Sequence, residues 1–265
     1  MVDYEIDDMN ILEQIKAERL AAVKDAKRVV PVELLREQAE ERRHHSFSAV
    51  IESAGFGIIA EMKKASPSAG LLRPEYCPAE IARSYVGNGA AGISVLTEPL
   101  HFMGDGAHLR EVRAAVDIPL LRKDFMCDVY QVAEAAAWGA DIVLLIAAML
   151  SDDELQLLYD AAREYGLEVL AEVHSADELE RVLPLKDAML GVNSRNLKTM
   201  KTDLNTLFTL ADKIPSERLA VAESGIRSSA DIASLRDVGY RAFLIGEALM
   251  VKGDPGGKLW ELLNC

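Results

Sequence analysis

Lys123 closes the apolar run Pro119-Leu120-Leu121-Arg122-Lys123, and other reactive side chains are placed in the same way along the chain. Glu61 follows Ile58-Ile59-Ala60, with Lys63 and Lys64 just behind it. Glu172 follows Val169-Leu170-Ala171, with His174 two residues on. Asn193 ends Met189-Leu190-Gly191-Val192, and Arg195 comes next but one. Ser224-Gly225 and Gly246-Glu247 follow two further apolar runs. A lysine directly after an apolar segment can be partly desolvated, which suits proton donation or pairing with an anion. Asn193 can hydrogen-bond a hydroxyl or a carboxylate, and Arg195 can bind an anion. Gly225 and Gly246 let the backbone come close to a ligand, so that N–H groups, with the hydroxyls of Ser224 and Ser66, could cradle a phosphate. Each group also has a plainer role, as a solvated charged loop, a rim ion pair or a loop cap. Glu172 and His174 spell half of a metal pair, but no other His or Cys spacing completes a ligand set.

Eight short apolar runs, centred near residues 59, 94, 121, 144, 170, 191, 221 and 243, carry these groups or small residues at their C-terminal ends. Helical patterns lie between them. Ser151 to Glu154 and Ser175 to Glu178 read as capping boxes, Asp128 to Gln131 and Ser228 to Asp231 as looser ones, and Pro78 suits a first helical turn. Gly89, Gly139, Gly166 and Gly239 stand where helices should stop. Strands alternating with helices imply a parallel sheet. An open doubly wound sheet would carry a Gly-rich fingerprint after its first strand. Here that place is taken by Lys63-Lys64-Ala65-Ser66-Pro67-Ser68. The expected fold is therefore a (β/α)8 TIM barrel, α/β in class, with reactive side chains gathered at the C-terminal ends of its strands. Residues 1–45 precede the first strand. They read as a helical N-terminal extension of a single domain spanning 1–265, a lid over one end of the barrel. Met9 to Lys27 is one helix, with Ile11, Leu12, Ile15, Leu20 and Val23 roughly on one face, and Pro31 to Arg42 is a second.

The 265 residues match the size of one such barrel, and half of them are hydrophobic, enough for one large core. The net charge of −14 argues against nucleic acid as a partner. Cys77, Cys127 and Cys265 form no CxxC and cannot all pair, which fits a reduced, cytoplasmic setting. The acidic start Met1-Val2-Asp3-Tyr4-Glu5 has no signal-peptide core, and no apolar run reaches the roughly 18 residues of a membrane span.

Taken together, Ile59 to Ser68, Ser94-Val95-Leu96-Thr97-Glu98, Leu121 to Phe125, Val192 to Leu197 and Ala222 to Ile226 resemble the indole-3-glycerol-phosphate synthase family of tryptophan biosynthesis, in family order and spacing. The resemblance covers nearly the whole chain, and the close of the sequence soon after the eighth unit resembles the monofunctional form. It implies a carboxy-lyase that converts 1-(2-carboxyphenylamino)-1-deoxyribulose 5-phosphate into indole-3-glycerol phosphate, with loss of CO2 and water. The implied partner is this small anionic, phosphorylated substrate, with no cofactor and no metal, on a monomer.

By the same resemblance, Lys123 is the general acid at the substrate ketone. Lys63 pairs with the benzoate and serves the dehydration, Glu172 and Glu61 are acid/base carboxylates, and Asn193 orients the substrate. Ser66, Ser224, Gly225, Gly246 and the backbone of Glu247 hold the phosphate, with Arg195 at the mouth. Phe102, Phe125, Leu144 and Leu197 line the aryl pocket. The chain departs from the family at three places. Met103 and Asp105 stand where a small or polar residue and a serine are usual, Ala65 replaces a residue often basic, and Glu247 one often small or polar. Two rival readings are another phosphate-binding barrel, such as phosphoribosylanthranilate isomerase or a tryptophan synthase α-like lyase, and a barrel without catalysis. The set Glu61, Lys63, Lys123 and Glu172 speaks against both.

Overall fold

The eight anticipated runs are the eight staves of a closed parallel barrel. A computed structural model describes residues 11–40, 43–67, 70–196, 199, 201–250 and 253–264. Its strands are β1 (Gly57–Met62), β2 (Gly92–Leu96), β3 (Leu120–Lys123), β4 (Ile142–Ile146), β5 (Glu168–Val173), β6 (Met189–Asn193), β7 (Ala220–Glu223) and β8 (Ala242–Ile245). Each pairs with its sequence neighbour, and β8 closes on β1 through Gly57↔Ala242 to Ala60↔Ile245. All eight are buried on both faces, which is why they read as continuous apolar runs rather than as alternating ones.

The helices begin and end on local chemistry. They are α1 (Ile11–Val29), α2 (Val32–Glu40), α3 (Phe47–Ala54), α4 (Pro78–Gly87), α5 (Gly106–Ala115), α6 (Val129–Ala137), α7 (Asp152–Glu164), α8 (Ala176–Val182), α9 (Asn205–Ala211), α10 (Ser229–Asp237), α11 (Glu247–Met250) and α12 (Pro255–Asn264). Reciprocal capping boxes start α6 at Asp128/Gln131, α7 at Ser151/Glu154 and α10 at Ser228/Asp231. The box expected at α8 is only half formed. Ser175 accepts from the Glu178 N–H, but the Glu178 carboxylate takes the His174 N–H instead. The four helix-ending glycines all have left-handed φ, between 63° and 104°.

The N-terminal extension differs in detail from expectation. In α1 the buried stripe is Leu12, Ile15, Arg19 and Val23, whereas Ile11 and Leu20 are exposed. Spacings of three and four residues keep one helix face, and a charged Arg19 completes that face because Asp124 meets it at 2.8 Å. The helix crosses the loops at the C-terminal ends of β2 to β4. Glu18 meets His101 at 2.7 Å and Lys16 meets Glu154 at 2.7 Å, on either side of the Arg19–Asp124 pair. The segment between the extension and β1, which carries no clear helical signal, forms α3. Phe47 and Ile51 are fully buried there, Phe47 against the start of β2 at Gly92 and Ile51 against the start of β1 at Gly57. Burying such side chains is worth about 1.5–3 kcal/mol each. The Glu168 carboxylate at the foot of β5 accepts from the Ser46 hydroxyl and the Phe47 N–H, which locks α3 in place. A short hairpin, Ala65–Ser66 with Gly70–Leu71, follows β1 and was not foreseen. No helix among the described residues is long and apolar enough to cross a membrane.

Candidate active site

The parallel register decides which side chains meet. Glu61 is level with Ser94, Lys123 with Leu96, Glu172 with Gly191, and Asn193 with Glu223. Charged residues from β1, β3, β5 and β7, with the Asn193 amide from β6, therefore converge at the C-terminal end of the barrel, lining one cavity. Nζ of Lys123 lies 2.7 Å from Glu172 and 3.2 Å from Glu223. Nζ of Lys63 lies 2.7 Å from Glu61. Asn193 accepts the Arg195 N–H on its side-chain oxygen at 3.0 Å and so turns its amide nitrogen to donate to Glu172. His174 stands 3.4 Å from Glu172 and 3.2 Å from Glu178, so its ring is engaged by two carboxylates.

Burial makes the charges of this cluster interdependent. Around Lys123, burial disfavours the ammonium, but Glu172, Glu223 and Glu61 outweigh it and hold the lysine protonated well above its ordinary range. Burial likewise opposes ionisation of Glu172 and Glu61. Lys123 and His174 nevertheless keep Glu172 well below the usual carboxylate range, and Lys63 and Lys123 keep Glu61 below it. Glu223 goes the other way. Burial, with the adjacent Glu172 adding to it, pushes its carboxyl up to about 8 against the pull of Lys123. With Glu223 protonated, Lys123 has one ionised carboxylate beside it, Glu172, and Lys63 has another, Glu61.

Glu223 is the residue that sequence reasoning missed as a site member. Its signal was available, since it closes the apolar run of β7 as Glu61 and Glu172 close the apolar runs Ile58-Ile59-Ala60 and Val169-Leu170-Ala171 of β1 and β5. Two glycines make room for these acids. A β-carbon at Gly246 would overlap the Glu61 carboxylate, and one at Gly191 would overlap that of Glu223.

Around the acid–base cluster the cavity has two further walls. Phe102 and Phe125 stand with ring centroids 6.1 Å apart, and Leu144 faces the same space. Opposite lie Ser66, Ser224, Gly225, Gly246 and Glu247. Ser224 and Gly225 both have positive φ, 67° and 76°, a conformation that glycine adopts freely and serine only at a cost. The Ser194 hydroxyl donates to the Ser224 carbonyl at 3.0 Å and holds that turn. The Glu247 side chain does not turn away from the cavity. It takes Arg195 at 2.9 Å and faces Arg227 at 3.7 Å, so its charge is met by two guanidinium groups. The unusual loop at Met103 keeps its turn. The Gly104 N–H donates to the Glu98 carbonyl at 2.8 Å, and Asp105 caps α5 as a serine would. Of the expected site residues, Leu197 lies outside the described residues; all the others line this cavity.

The arrangement offers a cationic proton donor, paired acids and bases, an aromatic wall and a backbone cradle. Such a set suits acid–base chemistry on an anionic aromatic compound. The model of the family described as indole-3-glycerol phosphate synthase matches residues 12–262. The chain belongs to the indole-3-glycerol phosphate synthase family.

Members of the indole-3-glycerol phosphate synthase family are similar to the chain along almost all of its length. The protein of that name from Laribacter hongkongensis is 46% identical over 259 residues, 96% of this chain and 98% of its own. That from Burkholderia ambifaria is 46% identical over 254 residues, 94% and 97% of the two chains. That from Azospirillum brasilense is 50% identical over 213 residues, 80% and 81%. Among solved structures, a 3-hexulose-6-phosphate synthase from Salmonella typhimurium superposes with a TM-score of 0.62 at 18% identity, covering 78% of this chain and 96% of that one. The tryptophan synthase alpha subunit from Legionella pneumophila gives 0.61 at 14% identity, covering 83% and 97%. At these identities the likeness is one of fold, the fold of the indole-3-glycerol phosphate synthase barrel.

Proposed function

We infer that this barrel closes the indole ring of 1-(2-carboxyphenylamino)-1-deoxyribulose 5-phosphate, releasing CO2 and water to give indole-3-glycerol phosphate. The observation that carries this reading is a protonated Lys123 held between Glu172 and Glu223, with Lys63 and Glu61 as a second pair in the same cavity. In the first step the aromatic carbon bearing the carboxylate attacks the ketone. Lys123 gives a proton to the oxygen that becomes negative, where a fixed positive charge lowers the barrier most. Lys63 pairs with the benzoate carboxylate until CO2 leaves and the ring electrons are restored. In the last step the new hydroxyl departs as water, taking a second proton, with Lys63 as its donor. A base removes one proton from the methylene carbon beside the nitrogen.

Glu172 and Glu61 are both held ionised and suit the base. Glu223 is held protonated below about pH 8 and suits the return of a proton to Lys123. Two protons enter and one leaves, and the net uptake of one matches the conversion of a carboxylate into CO2. Phe102, Phe125 and Leu144 support the aryl group, and Ser66, Ser224, Gly225, Gly246 and the Glu247 backbone the phosphate. Holding both ends of one molecule folds it into the reactive arrangement. The test is to mix purified protein with this substrate in metal-free buffer and follow indole fluorescence. A steady rise supports the reading, and folded protein that produces none overturns it.

A further inference from the structure

Glu223 reaches its place by leaning across a gap in the neighbouring strand. Its own backbone is level with Asn193, whereas Gly191 is level with Val221, two rungs lower and roughly 6–7 Å back along β6. The Glu223 carboxyl nevertheless occupies the volume that a side chain at 191 would fill. A β-carbon built on Gly191 would overlap Oε1 of Glu223 and come within 3.0 Å of Leu170 Cδ1. Residue 191 shares the strand phase of Asn193, so any side chain there would point into the barrel, beneath the site. Gly191 has no left-handed backbone that would demand glycine, so space accounts for its identity. Glu223 is 1% exposed, and its Oε1 has no hydrogen-bond partner, while Oε2 meets Lys123 at 3.2 Å. Lys123 therefore fixes one carboxyl oxygen, and on the side of Oε1 the shape of the pocket takes the place of a hydrogen bond.

We propose that Gly191 is a positioning residue of this active site: by lacking a side chain it forms the pocket that aims the Glu223 carboxyl at Lys123. The proposal rests on the reading that Glu223 takes part in proton transfer. Packed interiors do not give way to an added methyl without displacing a neighbour. In Gly191→Ala the neighbour with no hydrogen bond on its Oε1 is the one to move, and it moves away from Lys123.

The experiment is a double-mutant cycle read by activity and by stability, because residues that act through one another give non-additive effects. Gly191→Ala should lower kcat by about tenfold or more with KM changed less than about threefold, the pattern of a lost transition-state interaction. Glu223→Asp shortens the acid and should be costly in the native background. In the Gly191→Ala background it should cost far less, because the shorter chain clears the new methyl. Should Gly191→Ala fail to fold, the cycle moves to Glu223→Ala. There Gly191→Ala should lower the melting temperature far less than it does with Glu223 present, since the main colliding group is gone and only Leu170 stays close. Multiplicative losses of activity with Glu223→Asp, or equal destabilisation whether or not Glu223 is present, would overturn the proposal. Full turnover by Glu223→Ala alone would instead overturn the reading beneath it, a result separate from the stability cycle.

Discussion

Nζ of Lys123 lies 2.7 Å from the Glu172 carboxylate, and the two side chains come from strands that do not touch, β3 and β5. Replacing Lys123 with Ala removes the proposed proton donor and leaves Glu172 and Glu223 facing each other without the ammonium between them. We expect kcat to fall by at least about 10²-fold, the usual size for a general acid. Binding of a phosphorylated product analogue should largely persist, because the proposed phosphate cradle at Ser224 and Gly225 is formed by other residues of the cavity. Steady-state turnover and titration calorimetry on the same variant check both halves, and near-native turnover would remove Lys123 from the mechanism.

Glu223 supplies a pH signature. Burial and the adjacent Glu172 raise its folded pKa from the ordinary carboxyl value of 4.5 to about 8, so the native state binds this proton more tightly than the unfolded chain does. Its contribution to stability is full below the unfolded pKa and is lost as pH rises toward about 8. Glu223→Gln, which cannot ionise, should therefore melt at least about 2 °C higher than the native protein at pH 9, a shift of the size that 1 kcal/mol produces in a domain this large. The advantage should shrink as pH falls and disappear near pH 4. Calorimetric scans across that range decide it, and a constant difference at all pH values would contradict the assignment.

The buried network beside the site is a separate matter of stability. Arg122 is 1% exposed and donates to Asp124, Glu134, Thr97 and the Gln131 carbonyl while stacking on Trp138 at 4.2 Å. Arg122→Ala takes the cation from the Glu134 carboxylate, leaves Asp124 with Arg19 and Thr97 as its side-chain partners, and empties a buried site, and breaking such a buried network costs about 3–5 kcal/mol. Arg19→Ala should cost less, because Asp124 keeps Arg122 and Thr97 as partners. Urea titrations of the two variants should rank them in that order.

Ser224 tests the phosphate cradle. Asp and Asn both tolerate the left-handed backbone found there, so the two substitutions differ mainly in charge. Ser224→Asp should raise KM for the substrate at least about tenfold by like-charge repulsion, partly relieved by salt. Ser224→Asn should raise it far less. Equal KM values for the two variants would move the phosphate away from this turn.

Much of this molecule follows from local sequence. Eight apolar runs with caps before the helices and glycines after them leave little choice but alternating strands and helices, and the closed barrel hides their edges. Strand-end position alone marks Glu61, Lys123, Glu172 and Asn193, because the C-terminal ends of parallel strands share one rim. Where elements meet across the barrel, the sequence is silent, because spatial neighbours are far apart along the chain. Only the tertiary structure places Arg19 against Asp124, turns the Glu247 carboxylate onto Arg195, and seats α3 beneath the barrel. It also decides the protonation of the site. Glu172 and Glu223 are the same residue type at equivalent strand ends, yet distance to Lys123 and burial against each other hold one ionised and the other protonated. Charge state depends on a three-dimensional environment, which residue type and spacing do not contain.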